Sequence, residues 1–194
     1  MDGDCKPELV VGNQGTSSTI ASIFRTTSTS GTMDGSTFAA KVDVTAGLRA
    51  AGVAIGDLDG DSKPDLAVAS YGADILSLYH NQNGTVSDFT EIQISAGVDD
   101  SGDGEGVAVG DYNGDGHLDI IISGKPNWKT ATTELYLNDG TANLTLAEET
   151  AFIGLSKGST LLRDVDDDGH LDAIMTGGMF RQYMKLYINN GKGQ

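Results

Sequence analysis

A nine-residue acidic pattern, D-x-[DN]-x-D-x-x-x-D, recurs along this chain and constrains its fold more than any other feature. It reads DLDGDSKPD at 57–65, DYNGDGHLD at 111–119 and DVDDDGHLD at 164–172. A fourth copy opens the chain with Asp2, Asp4 and Glu8, and no residue precedes it to fill the first position. Successive complete copies are 54 and then 53 residues apart. A period near fifty residues marks one supersecondary unit repeated.

The flanks repeat too. Short apolar runs precede the loops at Val53–Gly56, Val107–Gly110 and Thr160–Arg163, and others follow at Leu9–Val11, Leu66–Ala69, Ile120–Ile122 and Ala173–Met175. They are too short for helices and rich in β-branched residues, so they predict buried strands. A third element ends each time in a Gly-containing turn: Leu78–Asn81 before Asn83-Gly84, Leu135–Asn138 before Asp139-Gly140, and Leu186–Asn189 before Asn190-Gly191. Ile23-Phe24 is its weaker counterpart in the first repeat. Fourth strands are expected at Phe38–Val44, Phe89–Ile94 and Leu144–Ala147. The pattern predicts an all-β chain of four-stranded antiparallel blades, a β-propeller segment, with repeats 1–51 (incomplete start), 52–105, 106–158 and 159–194 (incomplete end). A sandwich would not need one loop at a fixed period, and solenoid coils are usually shorter.

The loops dictate the chemistry. Fifteen of the 28 acidic residues fall in the four loop stretches, while the chain has 12 Lys and Arg and a formal charge of −16. Like charges so close need a cation among them. Positions 1, 3, 5 and 9 supply oxygens: Asp57, Asp59, Asp61 and Asp65; Asp111, Asn113, Asp115 and Asp119; Asp164, Asp166, Asp168 and Asp172. The backbone oxygen of position 7 (Lys63, His117, His170) completes the expected set. The truncated copy offers a weaker site from Asp2, Asp4, the Lys6 backbone oxygen and Glu8. An all-oxygen, carboxylate-rich set suits a hard cation, and its flexible crowding favours Ca2+ over Mg2+. Gly60, Gly114, Gly116 and Gly169 permit the curl that brings alternate side chains together. An EF-hand would need Glu at position 12 and flanking helices. Position 12 here is Val68, Ile122 or Met175, inside apolar runs.

This loop between apolar strands, followed by LYxN-x-G, resembles the FG-GAP/VCBS repeats of integrin α-subunit propellers and many secreted bacterial proteins. The resemblance covers nearly the whole chain. It implies structural calcium in three complete loops and a truncated fourth, and an extracellular, cell-surface or periplasmic setting. It also implies an adhesion module that binds a glycan or a protein. Family propellers have about seven blades, and this chain holds about 3.75. It starts inside a loop and stops after the third strand of a blade, so it reads as a fragment of a larger propeller or as a half that associates into a homodimer to complete one, ahead of closure into a small four-bladed ring. One alternative is part of a polysaccharide-active enzyme such as a lyase. The sequence offers no nucleophile–base pair or phosphate loop for it. Another is a purely structural repeat of a surface protein.

The remaining features are weaker. Of the three histidines, His117 and His170 sit at loop position 7, where their side chains are expected to point outward, and none of the three, His80 included, is assigned a zinc or catalytic role. Trp128 has two readings, packing between blades (the favoured one) or stacking on a sugar ring. The stretch Asp99–Glu105 reads as a solvated insertion, with an extra metal contact as the lesser reading, and Cys5 as a free thiol, since one cysteine excludes an internal disulfide. Asn83-Gly84-Thr85 and Asn143-Leu144-Thr145 are glycosylation sequons. The acidic balance argues against nucleic acid as a partner, and no apolar run approaches a membrane span or a signal peptide.

Overall fold

The computed structural model describes residues 6, 8–13, 15, 20–27, 37–46, 49–70, 75–85, 89–95, 106–124, 130–147, 152–178 and 181–191. No helix occurs among them, and none is long and apolar enough to cross a membrane. Asp2, Asp4, Cys5, Trp128 and the 99–105 stretch lie outside the described residues.

Among the described residues, fourteen strands form four antiparallel meanders. The first sheet contains β1 (Leu9–Gly12), β2 (Ile20–Phe24) and β3 (Val42–Thr45). The second contains β4 (Ala50–Gly56), β5 (Asp65–Ser70), β6 (Ile75–Asn81) and β7 (Phe89–Ser95). The third contains β8 (Gly106–Gly110), β9 (Asp119–Gly124), β10 (Thr132–Asn138) and β11 (Leu144–Leu146). The fourth contains β12 (Ser159–Arg163), β13 (Asp172–Gly177) and β14 (Tyr183–Tyr187). Each complete loop joins a first strand to a second, and β1 follows the truncated loop, so it matches β5, β9 and β13.

Two boundaries differ from expectation. The strand expected over Phe38–Val44 is regular only over Val42–Thr45, and Phe38 makes an isolated bridge to Thr26. The strand expected over Leu186–Asn189 lies earlier, at Tyr183–Tyr187: Asn81 and Asn138 end their strands paired with Phe89 and Leu144 of a fourth strand, and β14 has no such neighbour among the described residues. The hairpin glycines take left-handed backbone as expected, with φ of 66° at Gly84, 83° at Gly140 and 72° at Gly191.

The apolar residues do not gather into one core. They form three clusters, one at each junction between consecutive sheets. Ala21, Ile23, Leu66, Val68 and Tyr79 join the first and second sheets. Leu58, Ala67, Leu78, Ile120 and Ile122 join the second and third. Tyr112, Ile121, Leu135, Ala173 and Met175 join the third and fourth. Every sheet therefore has a leading face toward its predecessor and a trailing face toward its successor. Strand alternation splits the roles: in β9, Ile120 and Ile122 face the preceding sheet and Ile121 faces the following one. A strand buried on both faces reads as a continuous apolar run, which is why β5 and β9 show no alternation.

The first strands sit where the sheets crowd most. A Cβ on Gly106 in β8 would come within 2.8 Å of the Thr160 hydroxyl and 2.9 Å of both the Thr160 amide nitrogen and the Ser123 hydroxyl. Small residues at this line let β8 and β12 approach. Gly106→Val is expected to destabilise the chain by about 1–3 kcal/mol through overpacking, measured by urea denaturation against wild type.

Candidate functional site

Each loop leaves its first strand at position 1 and enters its second strand at position 9. Positions 4 and 6 take left-handed backbone in all three complete loops. Position 4 is Gly60, Gly114 and Asp167, at φ 77°, 79° and 62°. Position 6 is Ser62, Gly116 and Gly169, at 66°, 92° and 89°. The sequence singles out the glycines, but Ser62 and Asp167 adopt the same conformation with a side chain present. Left-handed backbone costs a non-glycine residue on the order of 1 kcal/mol, so Ser62→Gly is expected to raise the melting temperature by a few degrees in a thermal scan.

The carboxylates shape the turns. The Gly60 amide donates to Asp57 Oδ1 and the Ser62 amide to Asp57 Oδ2, both at 2.8 Å. In the next loop Asp111 accepts from Gly114, Asp115 and Gly116. In the last, Gly169 donates to Asp164 Oδ2 at 2.9 Å. Position 5 accepts the amide of position 7 in all three: Lys63 to Asp61, His117 to Asp115 and His170 to Asp168. Position 3 accepts from position 5, at Asp59 and Asn113.

Position 9 has a second task that spacing alone does not reveal. Asp65, Asp119 and Asp172 are buried. One oxygen of each accepts the amide of position 2 (Leu58, Tyr112, Val165) at 2.8–2.9 Å. The other accepts the amide of the asparagine that ends the third element (Asn81, Asn138, Asn189) at 2.8–3.0 Å. Desolvation pushes the Asp65 and Asp119 carboxyls above the usual range, and these backbone donors pull against it. At Asp166 desolvation and the neighbouring carboxylates also push the pKa up. Asp61 and Asp115 are held below it, by the Lys63 ammonium and the Asn113 amide respectively.

The asparagines close the site across sheets. Asn138 Nδ2 donates to Leu118 O at 2.9 Å in its own sheet and to Leu58 O at 2.7 Å in the preceding loop. Asn189 Nδ2 repeats this with Leu171 O at 3.1 Å and Tyr112 O at 2.6 Å. Each buried amide thus ties one loop to the next sheet. Asn138→Ala would take this donor from the Leu118 carbonyl and from the Leu58 carbonyl, which keeps the Ala142 amide, and is expected to cost about 1–2 kcal/mol in denaturant unfolding.

The position-7 side chains lie against the hairpin turn that follows the third element. His117 and His170 are half-buried, and a Cβ on the turn glycines Gly140 or Gly191 would fall on their rings. The hydrocarbon chain of Lys63 lies over Gly84 in the same way, while its ammonium donates to Asp61 and to Gln82 O. His80 is the residue that sequence reasoning passed over. Its Nδ1 lies 2.6 Å from Asp59 Oδ2 and 3.6 Å from Asp65 Oδ1. Leu137 and Ile188 occupy the matching position in the later repeats.

Among the described residues, three groups converge closely enough to hold a metal ion: Asp57, Asp59 and Asp61; Asp59, Asp65 and His80; and Asp164, Asp166 and Asp172, with ligand atoms within 4.8 Å of one another in each. In the third loop Asn113 replaces a carboxylate, and its amide donates to Asp115 Oδ2 at 2.8 Å. The donors fit a cation on a further ground: Asp164 Oδ1 is buried with no hydrogen-bond partner. A buried oxygen aimed among carboxylates and left unpaired is costly without a positive charge. Lys6 and Glu8 are the described members of the truncated loop.

A repeating acidic loop, locked by a buried aspartate between antiparallel strands, defines a repeat module. The FG-GAP-like repeat model matches residues 1–68 and again 57–122, each match running from one loop through the next. The chain belongs to the FG-GAP-like repeat family. No curated protein matches it in a sequence search. The loop at 164–172 lies beyond the matched residues and keeps the same position-9 hydrogen bonds.

Proposed function

We propose that this chain is a calcium-binding propeller module whose metal is structural, and which serves outside the cell in adhesion or in glycan or protein binding. One observation carries the metal assignment. Acidic side chains converge in the loops at 57–65 and 164–172, and the latter contains a buried carboxylate oxygen with no partner. Asp57, Asp59, Asp61 and Asp65 would hold one ion; Asp111, Asn113, Asp115 and Asp119 a second; Asp164, Asp166, Asp168 and Asp172 a third. The backbone oxygens of Lys63, His117 and His170 add to these sets. An oxygen-only shell with anionic ligands is the preference of calcium. The ions would offset part of the chain's formal charge of −16, where its carboxylates are most crowded, and fix the loops between first and second strands.

The propeller reading is supported by sheets that pack face to face in sequence order, with neighbouring first strands close together at Gly106 and Thr160. The extracellular reading rests on the family, whose members work mainly where calcium is millimolar. At affinities on the order of 10⁻⁴–10⁻³ M, each ion would add about 1–2 kcal/mol in that setting. Recognition belongs to the propeller surface, with the metal as scaffold.

A thermal melt with excess calcium and with excess chelator tests the metal reading. Removal of three ions is expected to lower the midpoint by on the order of 10 °C. Asp164→Ala is expected to reduce that calcium-dependent shift without abolishing it, since the other two loops remain. Identical melting in calcium and chelator would sink the assignment. Binding on a glycan array that survives carboxylate substitution in the loops supports the scaffold role of calcium.

A further inference from the structure

His80 separates the loop at 57–65 from its two successors. The antiparallel register of β5 and β6 pairs Leu66 with Tyr79, so the next residues along, Asp65 and His80, stand opposite each other. The same step sets Leu137 opposite Asp119 and Ile188 opposite Asp172, one residue beyond the pairs Ile120–Tyr136 and Ala173–Tyr187. The position across from the buried aspartate is thus apolar in the third and fourth sheets and an imidazole in the second.

That imidazole is aimed into the loop. Its Nδ1 lies 2.6 Å from Asp59 Oδ2 and 3.6 Å from Asp65 Oδ1. The nearer contact lacks the direction of a hydrogen bond, and Nδ1 is buried with no hydrogen-bond partner. A ring nitrogen shut away from water beside two carboxylates, and hydrogen-bonded to neither, is costly unless a cation lies among the three. Asp65 is itself buried, and each of its oxygens has a second lone pair besides the one that accepts a backbone amide. The His80 side chain as a whole is 27% exposed, so the edge of the cluster opens to solvent.

This donor set differs in kind from that of the other loops. Oxygen-only shells suit calcium, whereas imidazole nitrogen suits zinc and its neighbours among the transition metals. Zinc takes nitrogen and carboxylate oxygen together at about 2.0–2.2 Å, which puts donor atoms around one ion on the order of 3–3.5 Å apart. The two separations at His80 bracket that spacing.

We propose that the loop at 57–65 takes a divalent transition cation of the zinc class, held by His80 Nδ1, Asp59 and Asp65, in competition with calcium. Asp59 and Asp65 serve either ion, so the loop holds one or the other. The proposal rests on the metal reading of the loops and narrows it at one of them. The loops at 111–119 and 164–172, with Leu137 and Ile188 in place of the imidazole, keep the calcium reading.

The test adds zinc to the isotope-labelled chain at about pH 7.5, where an ordinary imidazole is neutral, and follows the ring nitrogens by NMR. The His80 Nδ1 resonance is expected to move far more than those of His117 and His170. In isothermal titration, His80→Leu, which carries the residue of the third repeat, is expected to bind zinc at least about tenfold more weakly than wild type. The same variant is expected to keep the calcium-dependent rise in melting temperature. His80→Gln keeps a polar side chain and is expected to lose zinc equally; it replaces His80→Leu if circular dichroism shows the latter unfolded. Zinc that leaves His80 Nδ1 unmoved, or that binds wild type and variants alike, overturns the proposal while calcium-dependent melting persists. If neither zinc nor calcium shifts the melt, the metal reading of all the loops fails with it.

Discussion

The position-9 aspartate is the interaction on which the rest of the structure depends. Asp65, Asp119 and Asp172 each sit at the start of a second strand, buried, with both oxygens accepting backbone amides. One amide belongs to the loop and the other to the end of the third element. A single side chain therefore fixes the turn and sets the distance between non-adjacent parts of the sheet. Asparagine could not accept on both sides without turning a donor toward an amide, so the carboxylate is required by hydrogen-bond type as well as by charge.

Burying that carboxylate has a cost, visible in the raised pKa of Asp65 and Asp119. Backbone donors offset part of it. The acids at positions 1, 3 and 5 add repulsion while shaping the loop with their own amide contacts. A cation placed among them would answer both problems at once, and this is why the loop reads as a metal loop and a structural latch together.

Much of this was legible in the sequence. The period, the acidic positions and the apolar flanks place the β-strands of the repeat, because alternation and turn chemistry are local properties. The less legible parts depend on what lies across a gap. Nothing local marks His80 as a neighbour of Asp59, since the register of β5 and β6 brings them together. Ser62 and Asp167 hold left-handed backbone that only comparison with Gly116 and Gly114 exposes. His117 and His170 appear free to point outward until the hairpin folds back and sets Gly140 and Gly191 beneath them. The asparagine of LYxN looks like a turn residue, yet its amide reaches into a different sheet.

That last contact gives the chain a direction. The loop at 57–65 receives a hydrogen bond from Asn138, a residue 80 positions downstream of Leu58, and the loop at 111–119 receives one from Asn189. These two loops are each finished by the following repeat, and no bond of this kind runs the other way among the described residues. During synthesis, which proceeds from the N-terminus, a loop would emerge, wait without its final donor, and be completed only when the next repeat arrived. The chain thus resembles a row of latches that can be closed only from behind, with assembly order written into which end of each bond is made last.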